Sequence, residues 1–192
     1  CGAHAVKGKY VLESSMLSCS SLYDWFKKQF YPQGKDYSQI NREVEEAPAG
    51  AGGCIALPYF QGRGTPDFNS RATGSFLNLT LNTTRQHMAR AVLESIACEA
   101  KNNIEVLEHY AGEARRLFIS GGLTNFAAFD QMQADAYQKL LIKSENPEQT
   151  SLGGLISALV TLGAYGSYSE ALQAVKSGEK TREYRPNPEL AQ

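Results

Sequence analysis

The stretch from Gly53 to Glu94 constrains this chain more than any other; it reads GCIALPYFQGRGTPDFNSRATGSFLNLTLNTTRQHMARAVLE. A short apolar run, Cys54 to Leu57, is stopped by Pro58. A loop rich in Gly, Pro and Asn follows, with Gly62, Gly64, Pro66 and Asn69. Gly74 to Leu79 predicts a second short strand. Thr83, with Gln86 three residues on, carries the signature of a capping box that opens a long helix. That helix is expected to reach about Tyr110, roughly 40 Å at 1.5 Å per residue. Met88, Val92, Ile96, Ala100, Ile104 and Leu107 lie along one stripe of it. Strand, loop, strand and long helix form a layout in which a loop on rigid supports does binding work.

The remaining elements follow from local signals. Lys9 to Leu12 predicts a strand. Ser18 to Phe30 predicts a helix, with Ser18, Ser20 and Ser21 as candidate caps. Leu22, Trp25 and Phe26 share a face by helical spacing, which places Trp25 in the core. Pro32 and Gly34 break that helix. Gln39 to Glu46 reads as a short surface helix, with Glu43, Glu45 and Glu46 a solvated acidic face rather than a metal cluster. His87 and His109 have no ligand-spaced partner and read as surface or helix-end residues. Glu94 suits a hydrogen bond that fixes the neighbouring loop. Arg115 to Ser120 predicts a buried strand; Gly121 and Gly122 follow at once, then a helix from about Asn125 to Gln138. Two glycines between strand and helix let backbone come close to a ligand, since no Cβ blocks the approach. Neither the GxGxxG of a dinucleotide fold nor the GxxxxGK[ST] of a P-loop is present. Leu140 to Ile142 is a short strand. Gly153, Gly154, Ser157 and Ala158 open a helix whose small side chains predict close helix packing. Ser169 is expected to cap a last helix through about Val175. The tail at 176–192, with Pro186 and Pro188, reads as loop.

Composition excludes several classes. An apolar fraction of 42% supports a real core. A net charge of −1 gives no electrostatic reason to expect nucleic acid or an anionic membrane. No apolar run approaches the length of a transmembrane helix, and the first residues lack the pattern of a signal peptide. Cys1, Cys19, Cys54 and Cys98 are scattered without metal-ligand spacing. They read as reduced thiols, mostly buried, in a cytoplasmic protein. The chain starts at Cys1 and runs at once into a strand, so it reads as a domain cut from a longer polypeptide.

Two motifs carry a family resemblance. Gly74-Ser-Phe-Leu-Asn-Leu79, then seven residues, then His87-Met-Ala-Arg-Ala-Val-Leu-Glu94, resembles the C-terminal signature of the FGGY carbohydrate kinases. Leu57-Pro-Tyr-Phe-Gln-Gly-Arg-Gly-Thr-Pro66 resembles that family's LPYxxGERTP loop. Asn78 stands where the pattern usually has Gly; Arg63 and Gly64 stand where Glu and Arg are common. Gly121-Gly122 resembles the adenosine-binding GGG-A-x-S element, with Leu123 in place of the third Gly and Phe126 where a Ser or Asn often meets the adenine. Glu148-Gln-Thr-Ser-Leu-Gly-Gly154 resembles the family's ETTALGAA segment. Asp135 continues the resemblance and is given a structural role.

The resemblance implies an α/β, RNase H-like domain of the actin and sugar-kinase superfamily, incomplete at its N-terminus. It implies one C-terminal nucleotide-binding domain over 1–192, with the sugar-binding N-terminal domain absent. Gly121, Gly122, Asn125 and Phe126 are then expected at the adenosine, and Ser20 and Asp24 facing the nucleotide. No catalytic residue and no metal ligand is expected in this chain; the base would come from the missing domain. The cofactors implied are ATP and Mg²⁺. The partners are a sugar or polyol, ATP or ADP and the chain's own N-terminal domain, with a homodimer also open. The activity implied is transfer of the ATP γ-phosphate to a carbohydrate hydroxyl, with the LPYFQGRGTP loop leaning to a pentulose. Two alternatives stay open: a non-catalytic nucleotide-binding regulator, and a structural domain of the same fold.

Overall fold

A computed structural model describes residues 1–33 and 36–190. Gly34 and the last two residues of the tail lie outside the described residues. The chain opens with β1 (Gly2–Ala3) antiparallel to β2 (Tyr10–Val11). Helix α1 (Ser20–Phe30) and helix α2 (Ser38–Glu46) follow. Strand β3 (Ile55–Leu57) pairs antiparallel with β4 (Ser75–Leu77), in the register Ile55 to Leu77 and Leu57 to Ser75. Helix α3 runs from Arg85 to Ala111. Strand β5 (Arg116–Ile119), helix α4 (Ala127–Tyr137) and strand β6 (Leu140–Ser144) form a βαβ unit with β5 and β6 parallel. Helices α5 (Gln149–Thr161) and α6 (Tyr168–Val175) pack on each other. Strand β7 (Thr181–Tyr184) returns antiparallel to β6, so the sheet order is β5-β6-β7.

Helix α3 is the axis of the molecule. Ala89, Ala91, Val92, Leu93, Ile96 and Ala97 are all buried, which is wider than one stripe. Its alanines let neighbours come close on several sides at once, and α1, α2, α4 and β3 all pack on it. The main core joins Leu22, Tyr23 and Phe26 of α1, Ile40 and Val44 of α2, Phe129 and Ala134 of α4, Leu141 of β6 and Tyr184 of β7. Burying each large apolar side chain contributes roughly 1.5–3 kcal/mol. The C-terminal half of the predicted stripe is covered less: Ala100, Ile104 and Leu107 are only half-buried.

Several expectations are corrected. The α3 cap is Thr84, whose hydroxyl accepts from the His87 N–H while the His87 Nδ1 accepts from the Thr84 N–H, each at 3.3 Å. His87 is therefore at a helix end, as expected, but in a capping role. Trp25 is exposed, because α1 turns Leu22, Tyr23 and Phe26 inward. Trp25 instead packs at the rim against Phe60, ring centroids 4.7 Å apart. Glu43 is not on a solvated face: it is buried between Tyr31 and Arg85. Strand β5 is covered on one face only; Arg116 and Phe118 point outward while Leu117 and Ile119 pack inward. A Cβ at Gly153 or Gly154 would meet nothing within 4 Å, so their face of α5 packs on no other described element. Ser167, not Ser169, caps α6 by accepting from the Glu170 N–H at 3.2 Å. The tail is not all loop, since it supplies β7. Of the four free cysteines only Cys54 is buried.

The family-pattern departures have local causes. Asn78 has φ +58°, a left-handed conformation that Asn tolerates better than most residues. Gly64 lies against the Ser15 carbonyl; a Cβ there would sit 2.1 Å from that oxygen, so no side chain fits. Arg63 pairs with Asp67, four residues on.

Candidate functional site

Ligands of open α/β sheets gather at the carboxyl ends of the strands. Here that edge carries the turn between β5 and α4. Gly121 has φ +112°, which an L side chain rarely adopts, and it starts a 3-10 turn at Gly122–Asn125. The turn is internally bonded: the Thr124 N–H and hydroxyl both donate to the Gly121 carbonyl, at 3.1 and 2.8 Å. A Cβ at Gly122 would meet nothing within 4 Å. Bare backbone therefore faces open space here, on both sides of the turn.

Two clefts flank it. The first, about 340 Å³, lies toward α1 and α2; Ser20, Tyr23, Tyr37, Asn41, Gly122 and Phe126 are among its walls. Tyr23 and Tyr37 stack with ring centroids 5.7 Å apart and planes 20° from parallel. The Tyr23 hydroxyl, buried, donates to Asn41 Oδ1 at 2.9 Å. Burial raises the Tyr23 pKa well above the usual phenol range, so it stays a donor. The second cleft, about 420 Å³, lies over the sheet edge and is walled by Gly121, Gly122, Thr124, Lys143, Arg182 and Tyr184 among others. Gly122 and Asn125 line both.

The expected site residues thus divide. Ser20, Gly122, Asn125 and Phe126 meet in the cleft beside α1, and Gly121 lies in its neighbour. The Phe126 ring is built into the main core, so it walls the cleft from behind. Asp24 lines neither cleft. It accepts from the Tyr37 hydroxyl at 3.0 Å and pairs with Lys28 at 2.6 Å. Lys28 and Tyr37 together hold its carboxyl below the usual range. Asp24 therefore stands one step back, behind Tyr37. Sequence reasoning missed Tyr37 and Asn41, although their i, i+4 spacing puts them on one face. It also missed Arg182 and Tyr184, which lie on β7 where the sequence predicts loop, and Lys143, one residue beyond the strand predicted over Leu140 to Ile142.

The stretch that organises the sequence contributes no wall to either cleft. Its loop is stitched to the segment before α1 instead. The Ser18 hydroxyl accepts from the Gln61 N–H at 3.0 Å, Ser15 N–H donates to Thr65 Oγ1 at 2.9 Å, and Thr65 N–H donates to the Ser15 carbonyl at 3.0 Å. Glu94 has the role expected of it: Oε1 accepts from the Gly50 N–H at 3.0 Å and from Arg90 Nε at 2.7 Å. Asp135 is structural too, with Oδ1 accepting from Gln131 and from the Asn187 N–H, each at 2.8 Å. Among the described residues no group of three His, Cys, Asp or Glu is placed to hold a metal ion. No described helix is long and apolar enough to cross a membrane.

A mixed sheet whose carboxyl edge bares two glycines between two clefts defines an α/β domain. Comparison with known proteins gives the family. Residues 2–162 match the model of the FGGY family of carbohydrate kinases, C-terminal domain, and the chain belongs to that family. It is 28% identical over 170 residues to the xylulose kinase of Bacillus subtilis (strain 168), covering 88% of this chain and 34% of that protein. It is 31% identical over 173 residues to a glycerol kinase of Saccharolobus islandicus (strain M.14.25 / Kamchatka #1), again covering 88% of this chain and 34% of the relative. The crystal structure of ligand-bound xylulose kinase from Lactobacillus acidophilus superposes with a TM-score of 0.81 at 22% identity, over 92% of this chain and 35% of that one. That likeness shows that the two share a fold. The chain spans about a third of the length of these relatives.

Proposed function

We propose that this chain is the nucleotide-holding part of an ATP-dependent kinase whose acceptor is a sugar or polyol hydroxyl. The observation that carries the reading is the meeting of Ser20, Gly122, Asn125 and Phe126 in one cleft, from two segments a hundred residues apart in sequence. Aromatic and apolar walls from Tyr23, Tyr37, Leu123 and Phe126 suit a flat base. The bare backbone at Gly121 and Gly122 lets the ribose and phosphates come close. Mg²⁺ enters with ATP as part of the substrate. The acceptor site and the base that deprotonates the hydroxyl belong, on this reading, to an N-terminal domain outside residues 1–192. Phosphoryl transfer needs little covalent chemistry from protein and much positioning, so dividing the labour between two domains is sufficient. Closure of the two would exclude water and limit ATP hydrolysis. The xylulose kinase similarity and the LPYFQGRGTP loop favour a pentulose, and a metabolic kinase of this kind fits the cytoplasm.

The test is ADP release from Mg-ATP by the full-length polypeptide, across a panel of ketoses, aldoses and polyols. Release that depends on one acceptor is the expected result and identifies the substrate. Release from none, with no ADP bound at millimolar concentration, would end the reading.

A further inference from the structure

A buried charge lies directly under the turn. Asp130, on the first turn of α4, has no exposed surface, and among the described residues neither of its carboxylate oxygens meets a donor at hydrogen-bond distance. Leaving a carboxylate in that state is costly unless a countercharge is near. The countercharge is Lys143, at the end of β6, with Nζ 3.5 Å from Asp130 Oδ2. Two groups of β7 also act on the carboxylate, the Tyr184 hydroxyl and, by its charge, the Arg182 guanidinium. The Lys143 ammonium has a second contact. It donates to the carbonyl of Thr124, a buried residue in the middle of the 3-10 turn.

That carbonyl needs a donor. The bonds that close the two ends of the turn run to the Gly121 and Leu123 carbonyls, and the Thr124 carbonyl accepts from Lys143. Lys143 reaches it from a different strand, nineteen residues on. It ties the turn to the sheet, while Asp130 ties the lysine to α4.

We propose that Lys143 is a positioning residue for the nucleotide: seated on Asp130, its ammonium holds the Thr124 carbonyl and keeps residues 121–125 in the shape that bares Gly121 and Gly122. This rests on the nucleotide reading above for its consequence, but not for its geometry. Lys143 also walls the larger cleft, and Gly122 and Asn125 of the turn it holds wall both.

The experiment compares the full-length wild type with Lys143→Met and Asp130→Asn, by hydrogen exchange and by Mg-ADP titration. In K143M the amides of residues 122–126 are expected to exchange about tenfold faster, the size of one lost charge-assisted hydrogen bond, while those of α3 change less than about threefold. The Kd for Mg-ADP is expected to rise by about the same factor. D130N keeps the side-chain shape and removes the seat, so the same amides are expected to speed up roughly two- to fivefold; it also decides the matter if K143M does not fold. Unchanged exchange at 122–126 in the folded variants would overturn the proposal. So would an equal rise throughout the molecule, which would make Lys143 a contributor to global stability only. If wild type binds no ADP, the nucleotide reading fails, and local exchange still decides whether Lys143 holds the turn.

Discussion

Two buried carboxylates face opposite fates at acid pH. Glu43 of α2 accepts from the Tyr31 hydroxyl at 2.6 Å and from Arg85 Nε at 3.1 Å, and the Arg85 guanidinium lies 4.0 Å from the Tyr31 ring centroid. Burial pushes the Glu43 carboxyl up, but the bonds from Tyr31, Arg85 and Gln39 outweigh it and leave the group below its ordinary value. A carboxyl depressed in the folded state stabilises above its unfolded pKa and loses that contribution as pH falls through its folded one. Asp130 is the reverse. Burial raises it, and Tyr184, Lys143 and Arg182 offset that only in part. Its folded state holds the proton longer than the unfolded chain does, so stability is present at low pH and falls as pH rises from the ordinary aspartate range through the raised value. Urea midpoints measured at steps from about pH 3 to about pH 8 separate the two, across the carboxylate range. Arg85→Ala is expected to cost about 1–2 kcal/mol at neutral pH, allowing for the guanidinium's partial exposure, and to flatten the loss on the acid side. Asp130→Asn is expected to flatten the loss on the rising side. If D130N keeps the wild-type slope there, Asp130 is not the group responsible.

Element by element, the strongest sequence signals were those set by local chemistry. The long helix α3, the β3–β4 pair and the β5–α4–β6 unit were legible because periodicity and glycine placement mark them within their own windows. Caps were harder where two candidates lay close together. Thr83 with Gln86 and Thr84 with His87 both fit the three-residue spacing, and the ring nitrogen of His87 won. At α6 the sequence did hold the answer: Ser167 has Glu170 three residues on, the pattern that Ser169 lacks. Strand β7 was illegible for a different reason. Four residues between Gly178 and Pro186 have no periodicity of their own, and only pairing with β6 makes them a strand. The cost of that miss was the sheet-side cleft, whose Arg182 and Tyr184 come from β7. Removing residues 179–192 would strip β6 of that partner, uncover Leu141 and open the Asp130 seat. A loss of about 3 kcal/mol or more is expected, from lost ladder bonds and exposed apolar surface, and thermal unfolding against the intact chain would read it. A truncated chain as stable as the intact one would mean that β7 adds nothing to the core, against the burial of Tyr184.

At the scale of the whole molecule, the family was legible from two motifs whose residues turn out to frame the fold rather than line the clefts. The loop after β3 is bound to the segment before α1, and Glu94 holds Gly50. A signature of that kind fixes the architecture, while the walls of the cleft proposed for the nucleotide are gathered from α1, α2 and the β5–α4 turn, far apart in sequence. This separation has a testable consequence. If residues 1–192 contain the whole nucleotide site and none of the acceptor site, binding and transfer should come apart when this piece is made alone. With its own core in place, it is expected to be stabilised by Mg-ADP. At a hundredfold excess over Kd, linkage gives about 2.7 kcal/mol, or roughly 5–10 °C in Tm for a domain of this size. The same preparation is expected to release no ADP from Mg-ATP above background with any sugar or polyol. A Tm that does not move with Mg-ADP would deny the clefts their nucleotide. Acceptor-dependent ADP release by this piece alone would mean that the acceptor site and the base lie within residues 1–192, and the division of labour between two domains would have to be given up.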